Sequence, residues 1–426
     1  MKKFIFVVLP VLLSANLNIQ NSYKRALEFE SKVNSYMFQV EAKKEEINLA
    51  KSKLKPKVNL NASAALREYK INATGDSRDE KYALVSLGLD VPVFHPEYDN
   101  FVEQSKMKHR FSMLYLEQLK QDLAYNVVDA YISILRADNS LKVAKSYLSA
   151  NKIRYEQIKR LYEKKLSNKM DLLASKVTYE QSKIKVNSEK QNLRLAKFKF
   201  KNLTGIDSFT IPNIDFEKVD VSSLFITKSK DELFSQNLEI KKSKLNIDLT
   251  KKQIKNSQYG YYPKVDLSAS ATAYGSKNEY TDYTRDSRVM LNMKIPLYQG
   301  GYVKADISKY RYLLSAANED LKDVERKVEY NYEELYTKFK TSKRNITLYK
   351  DAIESARLYL HATKKGFEVG LKNVIDLEDA KAKLYESQFK LIDSVYEFIK
   401  SYVSLLNLYG DIDSIKLSEL DSILTQ

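Results

Sequence analysis

An internal duplication constrains this sequence more than any other feature. The segment that begins at Pro56 reads PKVNLNASA, and the segment that begins at Pro263, 207 residues further on, reads PKVDLSASA. Two further pairs correspond at spacings of 204 and 205 residues: 90–94 with 294–298, and 166–172 with 371–377. Because solenoid repeats run to roughly 20–50 residues, this period indicates a duplicated domain with two related halves around a common axis.

The N-terminus has the pattern of a secretory signal peptide. Lys2 and Lys3 precede an apolar run over 4–13 and the small residues Ser14 and Ala15. This pattern predicts a signal peptide over 1–15, and no later segment has the roughly 20 apolar residues of a transmembrane helix. The absence of cysteine excludes disulfides, thiolate catalysis and a lipidated cysteine. We therefore expect the exported protein in the periplasm, the outer membrane or the medium.

The charge of the chain is strongly positive, with a formal value of +16 at pH 7. The lysines are scattered singly among glutamates instead of forming one basic stripe with interleaved aromatic residues. We expect no nucleic-acid partner. Solvated helix faces and contact with anionic lipid explain the charge better.

Glycine and proline are confined to a few places, which leaves 97–204, 213–259 and 302–365 free of both. Stretches of this length predict long helices. The predicted helices cover 22–54, 98–165, 170–204, 229–257, 302–365 and 374–408. Within the first long stretch, apolar residues from Leu116 to Leu148 recur at spacings of three and four, which is the pattern of a coiled-coil seam.

A different pattern lies between the first and second helix of each half. Apolar and polar residues alternate over 58–64 and 83–91 around a predicted turn at Thr74–Glu80, and again over 265–271 and 289–295 around a turn at Gly275–Asp286. Alternation of this kind predicts two β-hairpins of membrane-spanning length. A soluble hairpin attached to a coiled coil is the alternative.

The number of strands bears on the assembly. Four strands cannot close a barrel, and an open sheet edge cannot face lipid. Three chains would supply twelve strands, which is enough to leave a lumen, together with six helical rods. The predicted fold is therefore mainly α with a membrane β-barrel: a homotrimer with four strands per chain and an internal duplication.

The predicted domain organisation follows the two copies. It consists of a signal peptide (1–15), a first repeat (16–205, with β-hairpin 56–94 and helical hairpin 98–204), a linker (206–228), a second repeat (229–409, with β-hairpin 263–298 and helical hairpin 302–408) and a C-terminal tail (410–426).

Several segments resemble the TolC family of outer-membrane efflux proteins. These are the hairpin exits VPVF at 91–94 and IPLYQGG at 295–301 and, above all, FEVGLKNVIDLEDA at 367–380. The resemblance implies a trimeric channel-tunnel in the outer membrane, with a twelve-stranded barrel joined to a periplasmic α-helical barrel. It also implies partners, namely a periplasmic adaptor (membrane-fusion protein) and an inner-membrane pump. The implied function is the exit duct of a multidrug efflux pump or of a type I secretion system.

The turns between paired helices, at 163–170 and 366–374, are predicted to form the periplasmic tip. Asp376 and Asp379 are three residues apart and share a helical face, so a threefold axis would gather six carboxylates into a ring that favours cations. The resemblance implies that they form the constriction of the closed entrance and that Lys372 helps to hold it shut. Phe367 stands where a tyrosine could donate a gate hydrogen bond. Acids that only stabilise a helix N-terminus are the alternative.

Other residues of the turns and bends are assigned by position. The adaptor-docking candidates are Leu166, Asn168, Gly370, Leu371 and Asn373, with turn capping as the alternative for the leucines and asparagines that recur in both turns. The predicted strand-to-helix bends are Pro92, Pro296, Gly300 and Gly301. In the first half Asp171 matches Asp376, but Ala174 replaces the second acid, so only the second half is expected to form the constriction.

Enzyme chemistry is not expected. The three histidines, His95, His109 and His361, are far apart in sequence, and no ligand pair accompanies them. We predict no catalytic residue, no metal site and no cofactor. A periplasmic coiled-coil adaptor or structural rod outside the membrane is the alternative function, and a diffusion porin is disfavoured because most of the chain is predicted helix.

Overall fold

The computed structural model describes residues 18–70, 77–278 and 281–425, so the predicted signal peptide lies outside the described residues. The elements in chain order are α1 (Ile19–Phe29), α2 (Ser31–Ser52), β1 (Lys57–Lys70), β2 (Ser77–Phe94), α3 (Pro96–Glu163), α4 (Lys169–Thr204), α5 (Lys230–Gln236), α6 (Leu238–Gln258), β3 (Lys264–Asn278), β4 (Thr281–Lys294), α7 (Tyr302–Glu368), α8 (Val374–Tyr409) and α9 (Ser414–Thr425).

Four of the six predicted helices are continuous, and two are not. The predicted helix 22–54 breaks at Glu30, and the predicted helix 229–257 breaks at Asn237, because at both residues the backbone leaves the helical conformation, with ψ of 104° and 128°. The two breaks are equivalent positions of the two repeats. At Asn237 the side chain is buried and its Nδ2 donates to the carbonyl of Leu408 at 2.8 Å. A contact between residues this distant in sequence cannot be predicted from local periodicity. The short helix α9 was not predicted either, since the sequence analysis gave 410–426 only as a tail.

The four strands form one antiparallel sheet in the order β1-β2-β3-β4. The central pair β2 and β3 joins the two repeats through a register in which Leu89 faces Ala269. Directly paired residues form rows across all four strands: an apolar row of Val58, Leu89, Ala269 and Val289, and beside it a polar row of Asn59, Gly88, Ser270 and Arg288. The sheet therefore has one apolar face and one polar face.

Both strand pairs extend further than predicted. β2 already begins at Ser77, inside the predicted turn Thr74–Glu80, and residues 71–76 of that region lie outside the described residues. Likewise β3 continues to Asn278 and β4 begins at Thr281, although the sequence predicted a turn over Gly275–Asp286. Backbone ladders do not depend on side-chain polarity, so the polar strand ends were mistaken for turns.

The chain divides into two compact units. The sheet unit comprises Tyr36–Tyr115 and Glu239–Val324, and the helical unit comprises the described residues up to Ser35 together with Leu116–Leu238 and Glu325–Gln426. In the sheet unit, strand gives way to helix at His95, whose Nε2 lies 2.9 Å from Asp266 Oδ1, while Glu97 pairs with Lys264 at 2.6 Å.

The main core lies in the helical unit. It contains part of the predicted coiled-coil seam of α3, namely Ala130, Ile134 and Ala137, and the second half of α8. Aromatic rings join α7 to α8, with Phe339 stacked on Phe398 at 5.0 Å between centroids. This packing holds the two helical hairpins, α3–α4 and α7–α8, whose turns carry the candidate site.

Candidate functional site

The first helical-hairpin turn closes α3 with two backbone hydrogen bonds. The amide of Leu166 donates to the carbonyl of Leu161 at 2.8 Å, and the amide of Lys165 donates to that of Tyr162 at 2.9 Å. This pair of bonds defines a Schellman motif, which needs a left-handed residue just after the helix. Lys165 supplies it with φ 60°, the one positive φ among the described residues other than glycine.

The second turn has the same bonds with a better-suited residue. The amide of Leu371 donates to Gly366 at 2.8 Å and that of Gly370 to Phe367 at 3.1 Å. Gly370 has φ 78°, and no atom lies near the place of a Cβ. The backbone conformation, rather than crowding, therefore favours glycine at 370.

Each turn ends at an asparagine that caps the next helix. Asn168 Oδ1 accepts from the amide of Asp171 at 2.7 Å, and Asn373 Oδ1 accepts from that of Asp376 at 2.9 Å. In the second turn Asp376 Oδ2 also accepts from the Asn373 amide at 3.1 Å, which completes a capping box. The capping role proposed as the alternative for both asparagines is thus present in the structure.

The two predicted gate acids have different surroundings. Asp376 is half-buried in its capping box, whereas Asp379 is exposed and pairs with Lys383 at 2.8 Å. The hydrogen bond to Asp379 raises the pKa of the Lys383 ammonium. One acid therefore shapes the turn, and the other lies on the surface of α8.

The predicted clamp Lys372 is exposed and forms no ion pair with a described residue. Its stem packs on Gly366, where an added Cβ would lie 3.0 Å from Lys372 Cγ. The half-buried ring of Phe367 instead contacts Arg154 of α3, with the guanidinium carbon 4.0 Å from the ring centroid. The sequence interpretation missed Arg154. The available signal was a polar residue at a position that continues the buried row of α3 toward Ile158.

The predicted bends fall in two classes. Pro92 lies inside β2, beside a register irregularity between Pro92 and Phe94, so the prediction of a bend there was wrong and the turn into α3 comes at His95. Pro296, Gly300 and Gly301 lie in the connection from β4 to α7, and the glycines adopt φ 58° and 80°.

No described helix is long and apolar enough to cross a membrane. The described residues also contain no group of three or more histidine, cysteine, aspartate or glutamate side chains that could hold a metal ion.

The sequence profile of the family described as Outer membrane efflux protein matches residues 22–205 and 231–411, one match for each repeat. The chain belongs to this family. It is accordingly a duct of the outer membrane, in a family of transport channels.

Relatives of known name match over most of the chain. The Outer membrane protein TolC of Salmonella enteritidis is 25% identical over 439 residues, covering 98% of this chain and 89% of that protein. The Alkaline protease secretion protein AprF of Pseudomonas aeruginosa is 21% identical over 348 residues, covering 80% of this chain and 72% of that protein.

Solved structures share the fold. The outer membrane protein VceC of Vibrio cholerae superposes with a TM-score of 0.79 at 15% identity, covering 93% of this chain and 97% of that one. The Campylobacter jejuni CmeC outer membrane channel gives a TM-score of 0.80 at 15% identity, covering 95% and 89%.

Proposed function

We propose that this protein is the outer-membrane exit duct of a tripartite efflux pump or a type I secretion system. In this proposal a periplasmic adaptor and an inner-membrane pump open it at the helical-hairpin turns. The observation that carries the proposal is the apolar face of the four-stranded sheet, because the apolar row ends at Val58 and Val289, which are 66% and 74% exposed. An exposed apolar face of this extent needs lipid or protein to cover it.

The strand lengths suit a bilayer. A tilted strand spans a membrane with about 9–11 residues, and these strands have 14 to 18. The apolar face would meet lipid, and the polar row through Ser270 would line an aqueous lumen.

In a homotrimer, the two edge strands of each sheet would be paired with strands of neighbouring copies. β1 and β4 are the edge strands, and an edge cannot face lipid. Pairing β1 of one copy with β4 of the next would close three sheets into a twelve-stranded barrel. A second surface supports contact between copies, since α4 presents exposed apolar side chains along its length: Met170, Leu173, Val177, Ile184, Leu195 and Phe198.

The constriction is proposed at the second turn. Three copies of Asp376 and Asp379 would place six carboxylates around the axis, with Lys372 and Phe367 beside them. Asp379 is exposed enough to face a passing ion. Lys383, its partner within the chain, would reduce the charge of the ring without removing it.

Docking of the adaptor is proposed at both turns. Leu166 and Leu371 are 72% and 81% exposed at equivalent positions, and large apolar side chains at a turn tip are suited to burial in a partner. Asn168, Asn373 and Gly370 would act by shaping the turns that present them. The adaptor is therefore expected to contact the two leucine side chains and the adjoining backbone.

Two measurements test the proposal. Fractionation without detergent should recover the protein with the outer membrane, and the purified protein should insert into planar lipid bilayers and conduct ions. Recovery of folded protein in the soluble periplasm would overturn the proposal and favour the adaptor or structural rod. The names of relatives include both an outer membrane efflux protein and an alkaline protease secretion protein, so export of a small dye and of a secreted protein should be compared in a deletion strain.

A further inference from the structure

A buried arginine lies close to the hairpin turns of the helical unit. Arg154 of α3 is 7% exposed, although arginine is seldom buried without a partner that compensates its charge. The nearest polar contact is weak, because Nη1 donates to Gln157 Oε1 of the same helix at 3.4 Å. What compensates the charge of Arg154 must therefore come mainly from other helices.

Three helices supply that compensation. The ring of Phe367, at the end of α7, lies 4.0 Å from the guanidinium carbon, well inside the roughly 6 Å reach of a cation–π contact. Burial lowers the pKa of Arg154, while the charges of Glu378 on α8 and Asp171 on α4 act in the opposite direction. Arg154 is thus a residue of the first helical hairpin that interacts with both helices of the second.

The contact is incomplete in hydrogen bonds. Arg154 Nε and Nη2 are buried without a partner among the described residues, and so is Glu378 Oε2, whose other oxygen binds Lys381 at 3.0 Å. Unsatisfied buried donors favour exposure to water. The ring and the carboxylate charges therefore hold the hairpins together, while the unpaired nitrogens reduce the cost of separating them.

Lys372, the cation that the family resemblance assigned to this task, has a different environment. It is exposed, and its stem packs on Gly366 of its own turn. Its ammonium forms no ion pair or hydrogen bond with a described residue of the first hairpin. Among the described residues of the two helical hairpins, Arg154 is the buried cation.

We propose that Arg154 is the latch that holds the second helical hairpin (α7–α8) against the first (α3–α4) in the closed duct, through its contact with Phe367. The proposal rests on the proposed function. When the adaptor and pump bind the turns, the guanidinium of Arg154 loses its contact with the Phe367 ring and becomes hydrated. The second hairpin then moves away from the first. Phe367 is then a functional part of the latch, where a tyrosine hydrogen bond was expected.

Conductance of the purified full-length trimer in planar bilayers tests the latch. Arg154→Gln should raise the fraction of time in the fully conducting state at least about tenfold, because each of the three chains loses one partly desolvated cation–π contact. Phe367→Leu should do the same, and combining the two should add little because both remove one interaction. Arg154→Lys, which keeps the charge but not the planar group, should have a smaller effect.

Arg160→Gln is the matched control, since Arg160 is on the same helix but exposed, and it should conduct as wild type. If wild type conducts and both Arg154→Gln and Phe367→Leu match it, the latch is wrong while the duct stands. If the wild-type protein forms no pore, the proposed function fails and the latch with it. Heat resistance of each trimer shows assembly, and Phe367→Leu tests the contact if Arg154→Gln does not assemble.

Discussion

The two helical-hairpin turns have the same backbone hydrogen bonds but different side chains at equivalent positions. Both end a helix with a Schellman motif and begin the next with an asparagine cap. The first places Lys165 in the left-handed conformation, and the second places Gly370 there. Asp171 receives only the Ser167 hydroxyl at 3.3 Å, whereas Asp376 closes a capping box. The two copies share the backbone geometry, and of the two turns the second has the capping box and the extra acid.

The largest expected difference between the copies concerns ion block. Asp376→Ala combined with Asp379→Ala should abolish block of the bilayer conductance by divalent cations, because it removes all six proposed ring carboxylates. Asp171→Ala, the matched change in the first copy, should leave the block intact. Equal loss of block in the two proteins would assign the site to both turns, and unchanged block in the double variant would refute the ring.

The helix breaks at Glu30 and Asn237 provide the second test. Asn237→Ala should destabilise the protein by about 1–3 kcal/mol, because the carbonyl of Leu408 loses the donor that the buried Asn237 side chain supplies. Glu30→Ala should change stability by less than about 0.5 kcal/mol, since its carboxylate accepts only the nearby amide of Lys32. Thermal unfolding followed by circular dichroism measures both changes. Similar losses in the free energy of unfolding would mean that the two breaks are stabilised to the same extent.

Exchanging the left-handed residues should give shifts of opposite sign. Gly370→Lys should destabilise by about 1–2 kcal/mol, because a side chain strains the left-handed region. Lys165→Gly should stabilise by at most about 1 kcal/mol, since glycine gains the conformation but loses more entropy on folding. Gly370→Asn is the control for strain, as asparagine tolerates this conformation better. Stabilisation by Gly370→Lys would contradict the strain argument.

The smallest expected effect concerns the caps themselves. Asp171→Ala and Asp376→Ala should each lose the favourable interaction of a carboxylate with a helix N-terminus, about 0.3–1 kcal/mol. Asp376→Ala should lose up to about 1 kcal/mol more, because the Asn373 amide also loses its acceptor. Chemical denaturation at low and high salt measures the difference, and equal losses would show that closing the capping box adds no stability.

Local patterns predicted the elements well where the chain itself decides them. The periodic seam of α3 and the glycine- and proline-free stretches located the long helices within a few residues, because helix formation depends on neighbours three and four positions away. The asparagine caps were likewise readable as an alternative function. Pro92 shows the limit: a proline tolerated at a strand irregularity has the same local sequence as one at a bend.

The candidate site was predicted in part. The sequence indicated both turns, and the family resemblance singled out Asp376, Asp379, Lys372 and Phe367. It did not indicate that Lys372 stays within its own turn or that Phe367 receives Arg154, which is 213 positions earlier in the chain. Such a contact depends on how two hairpins pack, and periodicity along one helix carries no information about it.

The sequence by itself determined the duplication, the long helices and the alternation of the strands, since each can be recognised from patterns along the chain, and the signal peptide over 1–15 stays a prediction from sequence. The tertiary structure decided which strands meet at the centre of the sheet, where the helices break and which cation lies between the hairpins. These features depend on burial and pairing between residues that are distant in sequence. Examples are the hydrogen bond from Asn237 to Leu408 and the pairing of β2 with β3.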